Sequence, residues 1–258
     1  MMPMPDTQKF LDVALEAVKL AEPIFVKHFG NASGIAVKRE ERTSLVSDAD
    51  KDVECILRKS IHEAFPAHTI VGEEAGSSGE RSSFVWYLDP IDGTTNFIRG
   101  LLPTVISVGL FDVNGPLVTV ISSPATGVLY HAVRGRGAFK NGKKISVSEG
   151  IAKERLIGAF GWKHAEKGPA VLKNLLKVVR TARILGCDGM QLALVAEGTL
   201  DCFVTNEAKL WDVAAGLLLV SEAGGEVGDW KGSPFQTSGQ SLVASNGKIH
   251  QQLLAVFK

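Results

Sequence analysis

One turn of the chain reads Asp89-Pro90-Ile91-Asp92-Gly93-Thr94-Thr95-Asn96-Phe97 and follows an apolar run, residues 84–88, that has the composition of a buried strand. Gly93 lets the backbone approach a ligand closely, and the amides of Thr94 and Thr95 are placed to form the open N-terminus of a helix. Carboxylates bind hard cations and helix N-termini bind phosphate. The turn therefore predicts both halves of a metal-assisted phosphate site, although Asp-Pro and Asp-Gly alone indicate an ordinary structural turn as readily.

Other acidic residues stand where predicted strands end or helices begin. Glu73 and Glu74 follow the predicted strand 68–71, Asp50 lies in the first turn of a predicted helix, and Asp212 opens a helix rich in small residues. Each acid alone is explained by a helix cap or a solvated charge, and for Asp212 alone the cap is the favoured interpretation. Taken together with Asp89 they predict a hydrolytic site with more than one Mg²⁺, in which carboxylates bridge ions roughly 3.5–4 Å apart.

The order of predicted elements indicates a layered αβ sandwich. Apolar residues at helical spacing predict helices over residues 7–29 and 48–64, the second with Ser47 and Asp50 as a capping pair. Asn141-Gly142 predicts a hairpin turn, and from residue 151 strands such as 183–185 alternate with helices. We expect an N-terminal α+β subdomain (1–150) with most metal ligands and a C-terminal α/β subdomain (151–258) with the last ligand and the substrate-reading residues, in one structural unit.

The composition excludes several classes of protein. Lys plus Arg and Asp plus Glu are each 28, so the formal net charge is zero and supplies no general attraction to nucleic acid or to an anionic membrane. Arg134-Gly135-Arg136-Gly137 precedes the hairpin and is predicted to be a solvated turn rather than an anion-binding loop. Three scattered cysteines, residues 1–6 without a signal-peptide layout, and no apolar run of about 18 residues predict a soluble, cytoplasmic protein.

Three elements occur in a fixed order: Gly72-Glu73-Glu74, the Asp89 turn, and Trp211-Asp212-Val213-Ala214-Ala215-Gly216. Their order and spacing resemble the inositol monophosphatase family of Mg²⁺-dependent, lithium-sensitive phosphatases. The similarity covers nearly the whole chain, including Glu222-Ala223-Gly224-Gly225 and Ser245-Asn246-Gly247. The resemblance implies an α/β (α+β) fold, a layered αβαβα sandwich of the sugar-phosphatase type, with two to three Mg²⁺ ions and a homodimer.

The resemblance also implies roles for individual residues. Glu73, Asp89 and the carbonyl of Ile91 would hold one metal ion, whereas Asp89, Asp92 and Asp212 would hold a second, with Glu73 touching a loosely bound third. The amides of Gly93 and Thr94, next to Thr95, would bind the phosphate. Thr94 and Asp50 would position and deprotonate the attacking water.

The chain departs from the family at the positions that would contact the substrate's hydroxyl groups. Where relatives often have Gly-Ser/Thr-Ala-Ala, this chain has Gly186-Cys187-Asp188-Gly189, and Thr205 stands where some have Glu. Cys187 and Asp188 are therefore candidate substrate-binding residues, although a cap of the following helix is the favoured interpretation for Asp188. Inositol phosphate, other sugar or polyol phosphates, fructose-1,6-bisphosphate, histidinol phosphate and nucleotide 3′-phosphates all remain open as substrates.

Phosphate chemistry supports the same site. A phosphate monoester dianion repels hydroxide, whereas Mg²⁺ neutralises that charge and lowers the pKa of bound water, so a protein nucleophile is not required. The chain has no G-x-S-x-G, H-E-x-x-H or Walker A motif. We therefore expect a phosphatase that uses metal-activated water on a small phosphorylated substrate. A regulatory pseudo-phosphatase is a competing hypothesis, disfavoured by the complete acidic set, and a nucleic-acid-binding module is disfavoured by the charge balance.

Overall fold

The computed structural model describes residues 6–38, 45–161, 167–235 and 239–257. Residues 1–5 lie outside these ranges, and so does most of the segment on which the prediction of no signal peptide rests. The helices are α1 (Thr7–His28), α2 (Asp48–Ala64), α3 (Thr94–Arg99), α4 (Gly168–Val178), α5 (Asp188–Ala196), α6 (Leu210–Glu222) and α7 (His250–Phe257), with a 3₁₀ turn at Lys153–Arg155. Among the described residues, no helix combines the length and the apolar character of a membrane span.

The strands form two large sheets and one short hairpin. The hairpin pairs β1 (Ala36–Val37) with β2 (Leu45–Val46). The remaining strands are β3 (Thr69–Gly72), β4 (Gly76–Ser78), β5 (Val85–Asp92), β6 (Val105–Asp112), β7 (Gly115–Ser123), β8 (Val128–Val133), β9 (Gly137–Lys140), β10 (Lys143–Ile145), β11 (Ile157–Gly161), β12 (Thr181–Arg183), β13 (Cys202–Ala208), β14 (Glu226–Gly228) and β15 (Gln240–Ser245). The first large sheet has the order β10-β9-β8-β7-β6-β5-β3-β4, and the second has the order β12-β11-β13-β15-β14.

These elements stack in five layers, which confirms the predicted αβαβα sandwich. Helices α1 and α2 cover one face of the eight-stranded sheet, α5 and α6 fill the space between the two sheets, and α4 and α7 cover the outer face of the five-stranded sheet. Three apolar clusters fill the four interfaces between helices and sheets, because the central cluster covers both sides of the α5–α6 layer. The central cluster joins Val105 and Ile121 of the first sheet to Leu219 of α6 and Phe203 of the second sheet.

Local sequence signals account for the elements that were predicted most closely. The helix predicted over residues 48–64 is confirmed. It is capped by Ser47, whose backbone amide and hydroxyl both donate to the Asp50 carboxylate, at 2.8 and 2.6 Å. Asn141 and Gly142 both have positive φ, 47° and 74°, as a type I′ hairpin turn requires. The strand predicted at 183–185 lies instead at Thr181–Arg183, and β4 and β14, of three residues each, were not predicted.

The loop at Arg134–Gly137 is a turn with Gly135 and Arg136 exposed, as predicted, but its amides and Arg134 are paired with carboxylates, which was not predicted. The amides of Gly135 and Gly137 each donate to the Glu222 carboxylate at 2.7 Å. The Arg134 guanidinium makes a bidentate pair with Asp112, at 3.0 and 2.9 Å. The anions that this loop binds are the carboxylates of Glu222 and Asp112, which belong to the same protein.

Candidate active site

Three of the predicted acidic residues converge at one edge of the eight-stranded sheet. Strands β3 and β5 are parallel, with Gly72 paired to Leu88, so Glu73 follows β3 next to Asp89 near the end of β5. Asp212 enters from the first turn of α6, which packs on the same sheet. Carboxylate oxygens of Glu73, Asp89 and Asp212 all lie within 4.8 Å of one another. Residues far apart in the chain therefore form one acidic cluster.

The electrostatics of this cluster are unfavourable to the ionised carboxylates. Burial raises the pKa of Glu73, and the neighbouring charge of Asp212 raises it further. Burial also holds the pKa of Asp89 well above its usual range, together with repulsion from Glu73 and Asp92. Like charges brought together in a water-poor place disfavour one another's ionisation. A bound cation would favour the ionised forms of Glu73 and Asp89.

The cluster passes a simple test for a hard divalent cation. All its donors are carboxylate oxygens, the ligand type that Mg²⁺ and Ca²⁺ take. Oxygens bound to one such ion at about 2.1–2.5 Å lie up to roughly 4–5 Å apart, which is the spacing of this set. The donor set therefore fits a magnesium-type site without rearrangement of the backbone.

Lys38 is a site residue that the sequence did not reveal. Its ammonium group lies 2.6 Å from Glu73 Oε1 and 2.5 Å from Glu74 Oε1. Burial alone would lower the pKa of Lys38, but attraction to Glu73 and Glu74 raises it above its usual value. This contact spans more than thirty positions of sequence and carries no local pattern that could predict it.

Asp92 is oriented differently from the other acids and is not in the three-residue cluster. Its Oδ1 accepts from the amide of Asp188 at 3.1 Å, and its Oδ2 accepts from the amide of Gly189 and, at 3.3 Å, from the Cys187 thiol. Asp92 thus supplies a carboxylate to the N-terminus of α5, where backbone amides lack helical partners. Burial, then repulsion from Asp188 and Asp212, still raises the pKa of Asp92 well above its usual range.

Asp50 and Thr94 meet as the sequence predicted. The Thr94 hydroxyl lies 3.1 Å from the Ile91 carbonyl and 3.4 Å from Asp50 Oδ1. Asp50 is fully buried, and this burial raises its pKa from 3.8 to about 6, with a smaller contribution from the charge of Glu73. The pair therefore links a carboxyl group that titrates near neutral pH to a hydroxyl at the start of α3.

Gly93 is required where it stands. Its φ is 84°, in the left-handed region, and a Cβ at this position would lie 3.0 Å from the Gly186 carbonyl oxygen. Gly93 precedes Thr94, the first residue of α3, and Thr95 is exposed. The first amides of a helix have no intrahelical partner, so this turn presents backbone donors beside the acidic cluster. Asn96 fixes the turn by donating to the Pro103 and Leu185 carbonyls, a role that the sequence did not indicate.

Cys187 and Asp188 lie next to the acids, at the start of α5. Cys187 is the N-cap residue, and its buried thiol has a pKa raised by burial and then by Asp92. Asp188 is the first helical residue, and its Oδ1 accepts from the Gln191 side chain at 3.1 Å. A Cβ on Gly161 would lie 3.1 Å from Asp188 Oδ1 and 3.6 Å from Thr205 Oγ1. Asp188 and Thr205 therefore face the same small space beside Gly161.

Known proteins resemble this chain over nearly its whole length. Residues 6–258 match the family model described as "Inositol monophosphatase family". A protein of Neisseria meningitidis serogroup B named "Putative Nus factor SuhB" is 34% identical over 96% of this chain and 97% of its own. The "Fructose-1,6-bisphosphatase/inositol-1-monophosphatase" of Aquifex aeolicus is 32% identical over 99% and 97%. The structure of an IMPase from Thermotoga maritima matches with a TM-score of 0.88 and 31% identity over 96% of each chain.

Proposed function

The chain belongs to the inositol monophosphatase family and is a phosphoric monoester hydrolase, and from this premise we propose that it hydrolyses a small phosphate monoester with the help of Mg²⁺. The observation that carries the proposal is the convergence of Glu73, Asp89 and Asp212. Three buried or half-buried acids within 4.8 Å destabilise a protein that does not use them. A cation-dependent hydrolytic site is the function that explains their position.

We assign the cation-binding roles within this proposal to the acids and one carbonyl. Glu73, Asp89 and the Ile91 carbonyl would hold one Mg²⁺, and Asp89, Asp212 and Asp92 a second. Glu73 would also touch a third ion. Bound Mg²⁺ would neutralise phosphate charge, lower the pKa of water and stabilise the leaving oxygen. The amides of Asp188 and Gly189 would keep Asp92 in place through the hydrogen bonds that they donate to it.

Thr94 and Asp50 would handle the proton of the attacking water. The Thr94 hydroxyl would take the proton that this water releases as it transfers its own proton to Asp50, so that the water attacks as hydroxide and Thr94 stays neutral. A base works best when its pKa lies near the operating pH, and the pKa of Asp50, about 6, suits this role. The amides of Gly93, Thr94 and Thr95 would hold the phosphate oxygens in line with that water.

The substrate would be an inositol monophosphate or a related sugar or polyol phosphate. Asp188 would provide carboxylate acceptors, which suit the hydroxyls of a polyol, whereas Thr205 is buried and its hydroxyl donates to the Glu207 carbonyl. Cys187 would contribute to the same wall of the site. Fructose-1,6-bisphosphate is the first alternative, because the name of the Aquifex aeolicus relative includes that activity. Histidinol phosphate and nucleotide 3′-phosphates are the others.

A panel of these phosphomonoesters tests the proposal directly. We expect Mg²⁺-dependent release of phosphate, abolished by a chelator and nearly abolished in Asp212→Asn. The relative kcat/KM values would rank the substrates. Asp188→Ala should change this ranking, whereas the rate with the best phosphate ester should change less. Phosphate release that is unaffected by the chelator and by Asp212→Asn would disprove the metal-assisted mechanism.

A non-catalytic role is the second candidate, because one relative at 34% identity is named as a Nus factor. Under that hypothesis the chain would act as a regulatory pseudo-phosphatase. The complete acidic cluster favours the enzyme. We propose that the protein does not bind nucleic acid, in keeping with its zero net charge, and a filter-binding assay with RNA and DNA would reveal such binding.

We also propose a homodimer. Leu101, Leu102 and Ile184 are each more than half exposed, and Asn96 holds their two segments together by bonding to Pro103 and Leu185. Light scattering should show a dimer for the native chain and a monomer for Leu102→Asp. Val113→Asp, at an exposed turn between β6 and β7, is the control that should leave the mass unchanged. A monomeric native chain would contradict the proposal.

The remaining parts of the proposal are the lithium sensitivity, the location and the two subdomains. Li⁺ should inhibit phosphate release, and full activity in its presence would count against a third ion.

The three unpaired cysteines favour the reducing cytoplasm, which fractionation of cells would test. We regard residues 1–150 and 151–258 as subdomains of one unit, since the central apolar cluster contains residues of both. A single cooperative unfolding transition is the expected result.

A further inference from the structure

A row of four side chains crosses the eight-stranded sheet at the acidic cluster. Strand pairing aligns Asp89 of β5 with Ser107 of β6, Ser107 with Ile121 of β7, and Ile121 with Tyr130 of β8. Ile121 and Tyr130 belong to the apolar cluster that packs against α5 and α6. Side chains in register share a face of the sheet, so Ser107 lies on the same face as Asp89.

Contacts on either side of Ser107 confirm this direction. Two positions earlier on β6, Val105 comes within 3.4 Å of a Cβ built on Gly189 of α5. Two positions later, a Cβ on Gly109 would lie 3.1 Å from Ala214 of α6, close to Asp212. Residues that alternate along a strand point to the same face. The Ser107 hydroxyl therefore lies beneath the acidic cluster, between the starts of α5 and α6.

The Ser107 hydroxyl has no hydrogen-bond partner, although the residue is 1% exposed. Other buried hydroxyls of the same sheet are paired: Thr104 donates to the Asp92 carbonyl, Ser122 to Glu22, and Ser123 to the Thr104 carbonyl. A buried hydroxyl without a partner destabilises the fold, so the presence of a serine at this position needs a functional explanation.

We infer that Ser107 is a positioning residue for the cation site, whose hydroxyl donates to the Asp89 carboxylate when that carboxylate binds a cation. The Cβ atoms of residues directly opposite in an antiparallel pair are about 4.5–5.5 Å apart, which brings a serine hydroxyl within reach of the facing carboxylate. Asp89 Oδ1 already accepts from the Ile91 amide at 3.1 Å, so Ser107 would add a second donor from the neighbouring strand. The inference rests on the proposed function, because it assumes that Asp89 binds the metal.

A hydrogen bond that forms only with the cation-bound carboxylate has two opposite consequences. Removing the hydroxyl should weaken Mg²⁺ binding, since groups that orient a metal-binding side chain typically contribute about 10–100-fold to affinity. The same change should leave the metal-free protein equally or more stable, since it removes a buried polar group without a partner. A purely structural serine would not separate the two effects in this way.

The test compares Mg²⁺ affinity, measured by titration calorimetry on the full chain, with the thermal stability of the metal-free protein. Ser107→Ala should raise the Kd for Mg²⁺ by at least about tenfold, with an unchanged or higher Tm without metal. Ser107→Cys keeps the volume but donates weakly, so it should show the same loss of affinity. The concentration of Mg²⁺ that gives half-maximal activity should rise with the Kd in both variants.

Ser122→Ala is the matched control, because it removes a buried sheet hydroxyl that is paired with Glu22 on the opposite face. It should lower the Tm and leave the Kd for Mg²⁺ unchanged. If Asp212→Asn loses Mg²⁺ binding as expected but Ser107→Ala keeps a native-like Kd, the role of Ser107 would be overturned and the proposed metal site would stand. Native-like binding in Asp212→Asn would overturn the proposed metal site and this inference with it.

Discussion

Acidic side chains have opposite surroundings at the two ends of the strands of the eight-stranded sheet. At the end where β6 finishes, Asp112 is paired with both nitrogens of the Arg134 fork, and Glu222 accepts from the amides of Gly135 and Gly137. Burial would raise the pKa of Asp112, but the hydrogen bonds from Arg134 lower it below its usual value. At the end where β5 finishes, the pKa of Asp89 is raised instead.

This difference separates acids that support the fold from acids that are held for a ligand. At the Arg134 end each carboxylate is matched by donors of the chain itself, and ionisation of Asp112 stabilises the native state. At the Asp89 end the chain assembles negative groups with one ammonium group, that of Lys38, beside them. Under the proposed function, the stability that is lost at that end is the cost of a cation-binding site.

The largest expected effect comes from removing one charge at the Asp89 end. Asp212→Asn should lower kcat by about a thousandfold, since metal ions contribute several kcal/mol to the transition state. The metal-free variant should unfold at the same or a higher temperature, because repulsion within the cluster is relieved. Steady-state kinetics and calorimetry measure the two effects. Lower stability without metal would show that the cluster is not repulsive.

The opposite pattern is expected at the Arg134 end. Asp112→Asn should reduce the free energy of unfolding by about 2 kcal/mol, because it breaks a bidentate charged hydrogen bond. The kcat and the Kd for Mg²⁺ should stay at their native values. Denaturant unfolding with a parallel activity assay measures both, and a loss of activity that matches Asp212→Asn would remove the contrast between the two ends.

A smaller effect is expected from pH on the metal-free protein. The folded state raises the pKa of Asp50 from 3.8 to about 6, so it binds this proton more tightly than the unfolded state does. The corresponding stability is complete below about pH 4 and is lost as the pH rises through about 6. Raising the pH from about 5.5 to about 7 should therefore lower the free energy of unfolding by about 1 kcal/mol for Asp50 alone.

Glu73, Asp89 and Asp92 should add to this pH dependence in the same direction, since their pKa values are raised as well. Saturating Mg²⁺ should reduce the slope because it stabilises the ionised carboxylates. Asp50→Asn is the control that removes the contribution of Asp50 only. Metal-free stability that increases between about pH 5.5 and about pH 7 would contradict the expected direction of the change.

The sequence predicted those parts of the molecule whose causes are local. Ser47 and Asp50 lie three residues apart, and the helix that they cap has the predicted bounds. The Asn141-Gly142 hairpin and the Asp89 turn are further examples of signals contained in a few neighbouring residues. The short strands β4 and β14 were missed because three residues carry too little periodicity.

The contacts that the sequence did not predict join distant segments. Lys38 reaches Glu73, Asp92 supports the N-terminus of α5, and Glu222 fills the loop at Gly135. None of these pairs is adjacent in sequence, and each partner alone has an ordinary explanation as a surface charge or a cap. Ser107 could not be singled out at all, since a serine in a strand acquires meaning only from the residue across from it.

The order in which the acids occur along the chain has a consequence for biosynthesis. Glu73 and Asp89 leave the ribosome early, whereas Asp212 and the amides that hold Asp92 come from the last third of the polypeptide. A growing chain therefore carries an incomplete set of oxygens and cannot capture a divalent ion in the finished geometry. Under the proposed function, the cation site would be complete only once α6 has docked between the two sheets.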